Sequence, residues 1–173
     1  SAGHYRAATI GQAIDVNGVS VRFMPAGHVL GSCQIVVECH GMRMCISGDY
    51  KRRHDPTCAS FEPVQSDVFV TEATFGLPVF VHPDANGEIA KLLESLRSNP
   101  ESDHFVGAYS LGKAQRIIRI LRDLGHGDEI LLHGSMETLC NYYQSRGIEL
   151  GRLAKLIDAG TRRKSGGAII IGP

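Results

Sequence analysis

The sequence predicts an α/β fold in two parts, and three observations carry that prediction. Up to about Gly76 the chain reads as strands joined by short turns, with period-two alternation in Val19-Ser20-Val21-Arg22-Phe23. From Leu77 onward, apolar helical stripes alternate with short β-rich runs, the pattern of a mostly parallel sheet with helices packed on it. The 173 residues, 43% of them hydrophobic, suffice for a core without disulfide staples.

In the first part, Gln34-Ile35-Val36-Val37-Glu38-Cys39 is a strand. His40-Gly41 offers a tight turn into Met42-Arg43-Met44-Cys45-Ile46-Ser47, which makes a hairpin. Residues 56–63, bounded by prolines, read as loop. Asp67-Val68-Phe69-Val70-Thr71-Glu72 is a short strand that ends on a carboxylate. In the second part, Ile89, Leu92, Leu93 and Leu96 line one face of a helix that Asn99-Pro100 stops. Phe105-Val106-Gly107-Ala108-Tyr109 is a strand. Gly112-Lys113 opens a helix with the stripe Ile117, Leu121 and Leu124, closed by Gly125. A strand over 129–133, a helix over 136–146 and a buried strand over 168–171 complete the series.

The 18 Lys and Arg balance the 18 Asp and Glu. This excludes a strongly basic nucleic-acid coat and an acidic solvating tail, and leaves room for a local basic groove. No apolar run approaches the roughly 20 residues that span a bilayer. The start, Ser1-Ala2-Gly3-His4-Tyr5-Arg6, has neither Met nor an apolar core. A cytoplasmic chain is expected, and one that is an internal piece of a longer protein. Five cysteines without a C-x-x-C pair point to reduced thiols rather than to disulfides or a thiolate zinc site.

Three polar residues stand at strand ends beside glycines: His28, Asp49 and Glu72. His and Asp are ligand types for a hydrolytic zinc or manganese site, and a nearby Glu can orient an imidazole. On this ground alone loop and turn chemistry is the more common role for such residues, since a metal needs three or four ligands and two are evident. Ser110, Gly112 and Lys113 lie at a strand-to-helix junction. They read either as a phosphate cradle or as a packing glycine beside a surface lysine. Lys51 and Arg52 follow Asp49 directly, where a nucleic-acid phosphate would sit. Arg116, Arg119, Arg122 and the run Arg162-Arg163-Lys164 read as solvated faces. His82 and His133 read as structural, and His54 and His104 receive no partner.

Four strings in order alter the weight of these readings. They are Pro25-Ala26-Gly27-His28-Val29-Leu30-Gly31-Ser32, Ser47-Gly48-Asp49-Tyr50-Lys51-Arg52, Asp55-Pro56-Thr57-Cys58 and Thr71-Glu72-Ala73-Thr74-Phe75-Gly76-Leu77-Pro78. With them the sequence resembles the β-CASP branch of the metallo-β-lactamase superfamily over nearly its whole length. Its nearest likeness there is the ligase-associated DNA exonuclease group, also labelled as mRNA 3′-end processing exonucleases. The resemblance implies that residues 1–76 are the second part of a metallo-β-lactamase αββα sandwich, and that 77–173 are an incomplete β-CASP α/β insert. It implies a two-metal centre, zinc with manganese as the alternative. His28 would be a ligand, Asp49 the bridging carboxylate, and Glu72 the acid that holds a histidine proton donor.

The resemblance further implies a nuclease acting on DNA in repair or end processing, with a DNA ligase as partner. The alternatives are an RNA 3′-end processing nuclease or a non-catalytic nucleic-acid-binding module. The family's His-x-His-x-Asp-His cluster is not found upstream of His28, where His4 is the single histidine. The resemblance therefore implies that the longer parent is the enzyme, and that this chain alone has an incomplete metal site and no activity.

Overall fold

The computed structural model describes residues 7–156 and 167–173, so His4 and Arg162-Arg163-Lys164 lie outside the described residues. The chain divides into two compact units, Ser1–Pro78 and Val79–Pro173.

The first unit is built on one five-stranded sheet: β1 (Ala13–Val16), β2 (Val19–Pro25), β3 (Cys33–Cys39), β4 (Met42–Ile46) and β5 (Val68–Val70), in that spatial order. The first four strands form an antiparallel meander, and β5 joins β4 in parallel. His40 and Gly41 both take positive φ, 49° and 79°, as a tight two-residue hairpin requires. Asn17 and Gly18 do the same at 54° and 83°, which makes β1–β2 a hairpin that the sequence reading passed over.

Register puts Phe23, Ile35, Ile46 and Val70 in one row across the sheet, with Val21, Val37, Met44 and Val68 in the next row on the same face. On this face Ile35, Ile46, Val68 and Val70 stay 36–47% exposed. The other face buries Gln34, Val36 and Cys45. The Gln34 amide donates to the carbonyls of Pro25 (2.9 Å) and Glu62 (2.7 Å), and its Oε1 accepts from the Cys45 thiol. A buried amide satisfied in this way pins the loop after β4 to the sheet.

The second unit comprises α1 (Ala85–Ser98), β6 (His104–Gly107), α2 (Lys113–Asp123), β7 (Ile130–Leu132), α3 (Gly134–Ser145), β8 (Leu153–Lys155) and β9 (Ile169–Gly172). Its sheet runs β6-β9-β7-β8, and the pairings are parallel. β7 and the first three residues of β9 are buried, as an apolar strand in a parallel sheet should be. Asp84 caps α1 by accepting from the Gly87 amide at 2.9 Å, and His133 caps α3 through the Ser135 amide. His104 is held between Ser95 Oγ (2.9 Å) and the Ser102 carbonyl (3.0 Å).

Two expectations about α2 change. Its buried face is Ala114, Ile118 and Leu121, each fully buried. Leu124 lies past the helix end as its cap and is 41% exposed, while Ile117 is half-buried. Arg122 is not a solvated side chain. Its guanidinium donates to the carbonyls of Leu150, His126, Asp128 and Arg152 at 2.6–2.8 Å, tying the end of α2 to two loops. Among the described residues no helix is long and apolar enough to cross a membrane.

Ile118→Ala should lower unfolding stability by about 2–5 kcal/mol, because it opens a cavity in a closed core. Leu124→Ala should cost far less. Denaturant titration of both variants checks the assignment, and equal losses would contradict it.

Candidate metal centre

Topology brings the three strand-end residues to one place. β2 and β4 flank β3, and each is antiparallel to it, so they run the same way; β5 is parallel to β4. Whatever follows β2, β4 and β5 therefore emerges at one end of the sheet. His28 follows β2, Asp49 follows β4 and Glu72 follows β5.

Local chemistry fixes each turn. Ser32 Oγ accepts the amides of His28 (3.0 Å) and Val29 (3.1 Å), closing the loop that carries His28. Gly27 has φ +71°, and a Cβ there would stand 2.5 Å from the Lys51 carbonyl oxygen and 2.7 Å from the Phe61 nitrogen. Only glycine fits. Ser47 is buried and donates its amide to the Val70 carbonyl at 2.9 Å. Gly48 then turns the chain with φ 55°, which presents Asp49 to solvent.

His28 Nε2 lies 3.9 Å from Asp49 Oδ2, with side-chain exposures of 44% and 76%. Glu72 Oε2 accepts the Thr74 amide at 2.7 Å. The Thr74 amide and side chain hold the Glu72 carboxyl below its usual range, against a small desolvation push, and the nearby His28 adds to the lowering. The structure thus brings His28, Asp49 and Glu72 into one neighbourhood.

This donor pair fits a shared cation. Two atoms each about 2.0–2.2 Å from one ion can be at most about 4.4 Å apart. The observed 3.9 Å meets that limit. The set is partial, since among the described residues no group of three or more His, Cys, Asp or Glu is arranged to hold a metal. His28 and Asp49 are themselves solvent-exposed, and the cavity of about 540 Å³ lined by Glu38, Met42, Arg43 and Asp67 lies at the other, hairpin end of the sheet.

The phosphate candidates fare differently. Lys51 is not a free cation: its ammonium is paired with Asp55, whose carboxylate is 2% exposed. Its side chain is thus engaged within the fold in this structure. Arg52 is exposed beside Asp49. Gly112 is buried, and its amide donates to the Gln115 Oε1 at 2.7 Å. The Lys113 amide goes to the Leu111 carbonyl (2.9 Å) and the Ala114 amide to that of Tyr109 (3.1 Å). The Ser110 carbonyl accepts from the Gln115 Nε2 at 2.9 Å. The amides of Gly112, Lys113 and Ala114 thus have partners within the fold. Lys113 stays exposed, with Nζ 4.9 Å from the centre of the Tyr109 ring.

The sequence reading assigns Asp55 no ion pair and Gln115 no capping role. The signal for Asp55 was its place four residues after Lys51; for Gln115 it was the spacing of three from Gly112, that of a capping residue reaching back.

No family model matches the chain. It is 36% identical over 123 residues to the endoribonuclease YSH1 of Saccharomyces cerevisiae, a match covering 68% of the chain and 16% of that protein. The endoribonuclease ysh1 of Schizosaccharomyces pombe is 31% identical over 136 residues, covering 76% and 17%. Subunit 3 of the cleavage and polyadenylation specificity factor of Dictyostelium discoideum is 31% identical over 114 residues, covering 64% and 14%. The chain is homologous to these proteins and spans about a sixth of their length. Among solved structures, a protein of unknown function from Enterococcus faecalis shares its fold. The TM-score is 0.62 at 12% identity, over 98% of this chain and 45% of the other. The mixed α/β architecture accords with a partial β-CASP metallo-β-lactamase domain.

Asp55 yields a pH prediction. Burial pushes its carboxyl up, but hydrogen bonds from Lys51 and Thr57 and the Lys51 charge outweigh this and hold it below its usual range. A depressed carboxyl stabilises the fold above its unfolded value, about 3.9, and that contribution is lost as pH falls from there through the folded value. Stability of the first unit should therefore drop below about pH 4. Asp55→Asn should flatten that drop, read by urea titration of the Thr57 amide resonance at a series of pH values.

Proposed function

We propose that this chain is part of a β-CASP metallo-β-lactamase nuclease whose whole protein hydrolyses RNA phosphodiester bonds in mRNA 3′-end processing. In this reading residues 1–76 belong to the metallo-β-lactamase core and 77–173 to the β-CASP insert. The observation that carries it is the convergence of His28 and Asp49 to 3.9 Å, beside Glu72, at the ends of three strands running one way. The names of the relatives, endoribonucleases and a cleavage and polyadenylation subunit, turn the substrate toward RNA and away from the DNA exonuclease reading and its ligase partner.

His28 and Asp49 would hold a divalent ion, zinc or manganese, with ligands from elsewhere in the whole protein. Such an ion, when bound, supplies Lewis acidity and a water activated near neutral pH. The chain's own residues bind and orient. Asp49 presents an exposed carboxylate. Glu72, anchored by Thr74, keeps its negative charge near His28. Arg52 offers an exposed cation to a backbone phosphate. In the second unit Phe105 and Tyr109 are each 76% exposed, and Lys113 adds charge at the Tyr109 ring. Exposed aromatics beside a cation suit unpaired bases, which single-stranded RNA offers.

The test compares the whole protein with its Asp49→Asn variant on single-stranded RNA and on DNA of the same sequence. Cleavage of RNA should fall at least about 100-fold with loss of bound metal, while RNA binding persists. Wild-type cleavage by the variant would end the metal-centre reading, and faster cleavage of DNA would reverse the substrate. Tyr109→Ala should weaken binding by about 1–3 kcal/mol and leave the salt dependence unchanged, because stacking releases no counterions. Filter binding at several salt concentrations measures both.

A further inference from the structure

We propose that Lys51 and Asp55 form a positioning clamp that sets the spacing of His28 and Asp49. The inference rests on the reading of those two residues as metal ligands, but its structural core is independent of it.

His28 and Asp49 sit on separate loops, and each is exposed, so their own side chains do little to hold them together. Lys51 joins the loops through its backbone. Its amide donates to the Ala26 carbonyl at 3.0 Å, two residues before His28. Its carbonyl lies against Gly27, so close that a Cβ there would approach it to 2.5 Å. The Phe61 nitrogen crowds the same Cβ position of Gly27, and the Glu62 amide donates to the Pro25 carbonyl at 3.2 Å. The segment before His28 is thus held at two points by one loop, the one that carries Asp49.

Something must keep Lys51 turned inward. A lysine left to itself extends its ammonium into water. Here the side chain is 18% exposed and its ammonium meets Asp55, which is 2% exposed. Asp55 is fixed in turn by Thr57, whose amide (2.9 Å) and hydroxyl (2.6 Å) donate to Oδ1. Thr57 is fully buried. A buried carboxylate needs this pairing, because removing one partner leaves an uncompensated charge. The ion pair thus anchors the Lys51 side chain inward, and its backbone fixes how far apart the two loops stand. Lys51 and Asp55 touch neither the candidate metal position nor a substrate: they act through His28 and Asp49.

The experiment uses the whole protein that contains this chain, with Mn²⁺ alone. Hydrogen exchange reads the Lys51 amide, and paramagnetic broadening reads His28 and Asp49 during a Mn²⁺ titration. Asp55→Asn keeps an oxygen for Thr57 and removes the charge that holds Lys51. In this variant the Lys51 amide should exchange at least about tenfold faster, while sheet amides such as Val21 and Val37 keep wild-type rates. Half-broadening of His28 and Asp49 should need at least about threefold more Mn²⁺. A structural pair with no positioning role would leave both readouts at wild-type values, and that result overturns the proposal. If the wild-type protein shows no broadening while Asp55→Asn still frees the Lys51 amide, the metal reading fails and the clamp stands. Should Asp55→Asn not fold, Thr57→Val loosens the carboxylate with both charges kept. It should shift both readouts the same way by less, and unchanged values would again overturn the clamp.

Discussion

The close approach of two loop segments to Gly27 is the constraint on which the first unit depends. Lys51 and Phe61 come so near that no side chain could stand between them. From this contact follow the position of His28 one residue later and the route of the chain from Asp49 to Glu62. Gln34 reinforces it from within the sheet by bonding the carbonyls of Pro25 and Glu62. Tyr50 stacks on Phe61 at 5.1 Å and meets Phe69 edge-on at 6.3 Å, which covers the junction with apolar surface. The loop is thereby held against a sheet face by hydrogen bonds from Gln34, Lys51 and Glu62.

The two faces of that sheet obey different rules. One is sealed by the loop just described. The other presents Ile35, Ile46, Val68 and Val70, all more than a third exposed. An apolar face of this extent is unusual on a free surface. It is what a β-sandwich buries between its two sheets, where inward residues of both interdigitate. The second unit needs no such partner for its central strands: β7 and most of β9 are already buried. The two sheets thus differ in pattern: the first leaves an apolar face exposed, and the second buries its central strands.

Much of this was legible in the sequence where the signal is local. His40-Gly41 named its own hairpin, and the stripe from Ile89 to Leu96 named α1. Asn17-Gly18 carried the same turn signal, but the four residues of β1 are too short for alternation to show. β8, with three residues, has no period at all. The face of α2 was misjudged because Ala114 looks neutral by composition yet lies at the centre of the buried side. Non-local facts were harder. That His28 and Asp49 each follow a strand was readable. That they meet required β2 and β4 to run the same way on either side of β3, a property of the sheet. Lys51 looked like a phosphate ligand because charge beside a candidate metal site invites that reading, and nothing in the sequence shows which cations are buried. Arg122 misled in the same way: four carbonyls hold it, and carbonyls leave no trace in composition.

The start of α2 shows how the fold itself can engage a motif that reads as an anion site. A glycine followed by lysine at a helix start suits an anion, because the first amides lack partners. Here Gln115 supplies what an anion would. Its Oε1 accepts the Gly112 amide and its Nε2 donates to the Ser110 carbonyl, so one buried side chain closes the turn from both directions. Cys140 backs it at 3.3 Å, which fixes the amide in the core. An incoming phosphate would have to displace a neutral, fully buried group and leave its polar atoms unsatisfied, at a cost of about 1–3 kcal/mol. What remains available at this junction is outside the turn: the exposed ring of Tyr109 and the ammonium of Lys113 at its ring. On the proposed reading, recognition there would work through a base or a charge at the surface, while the glycine serves the turn.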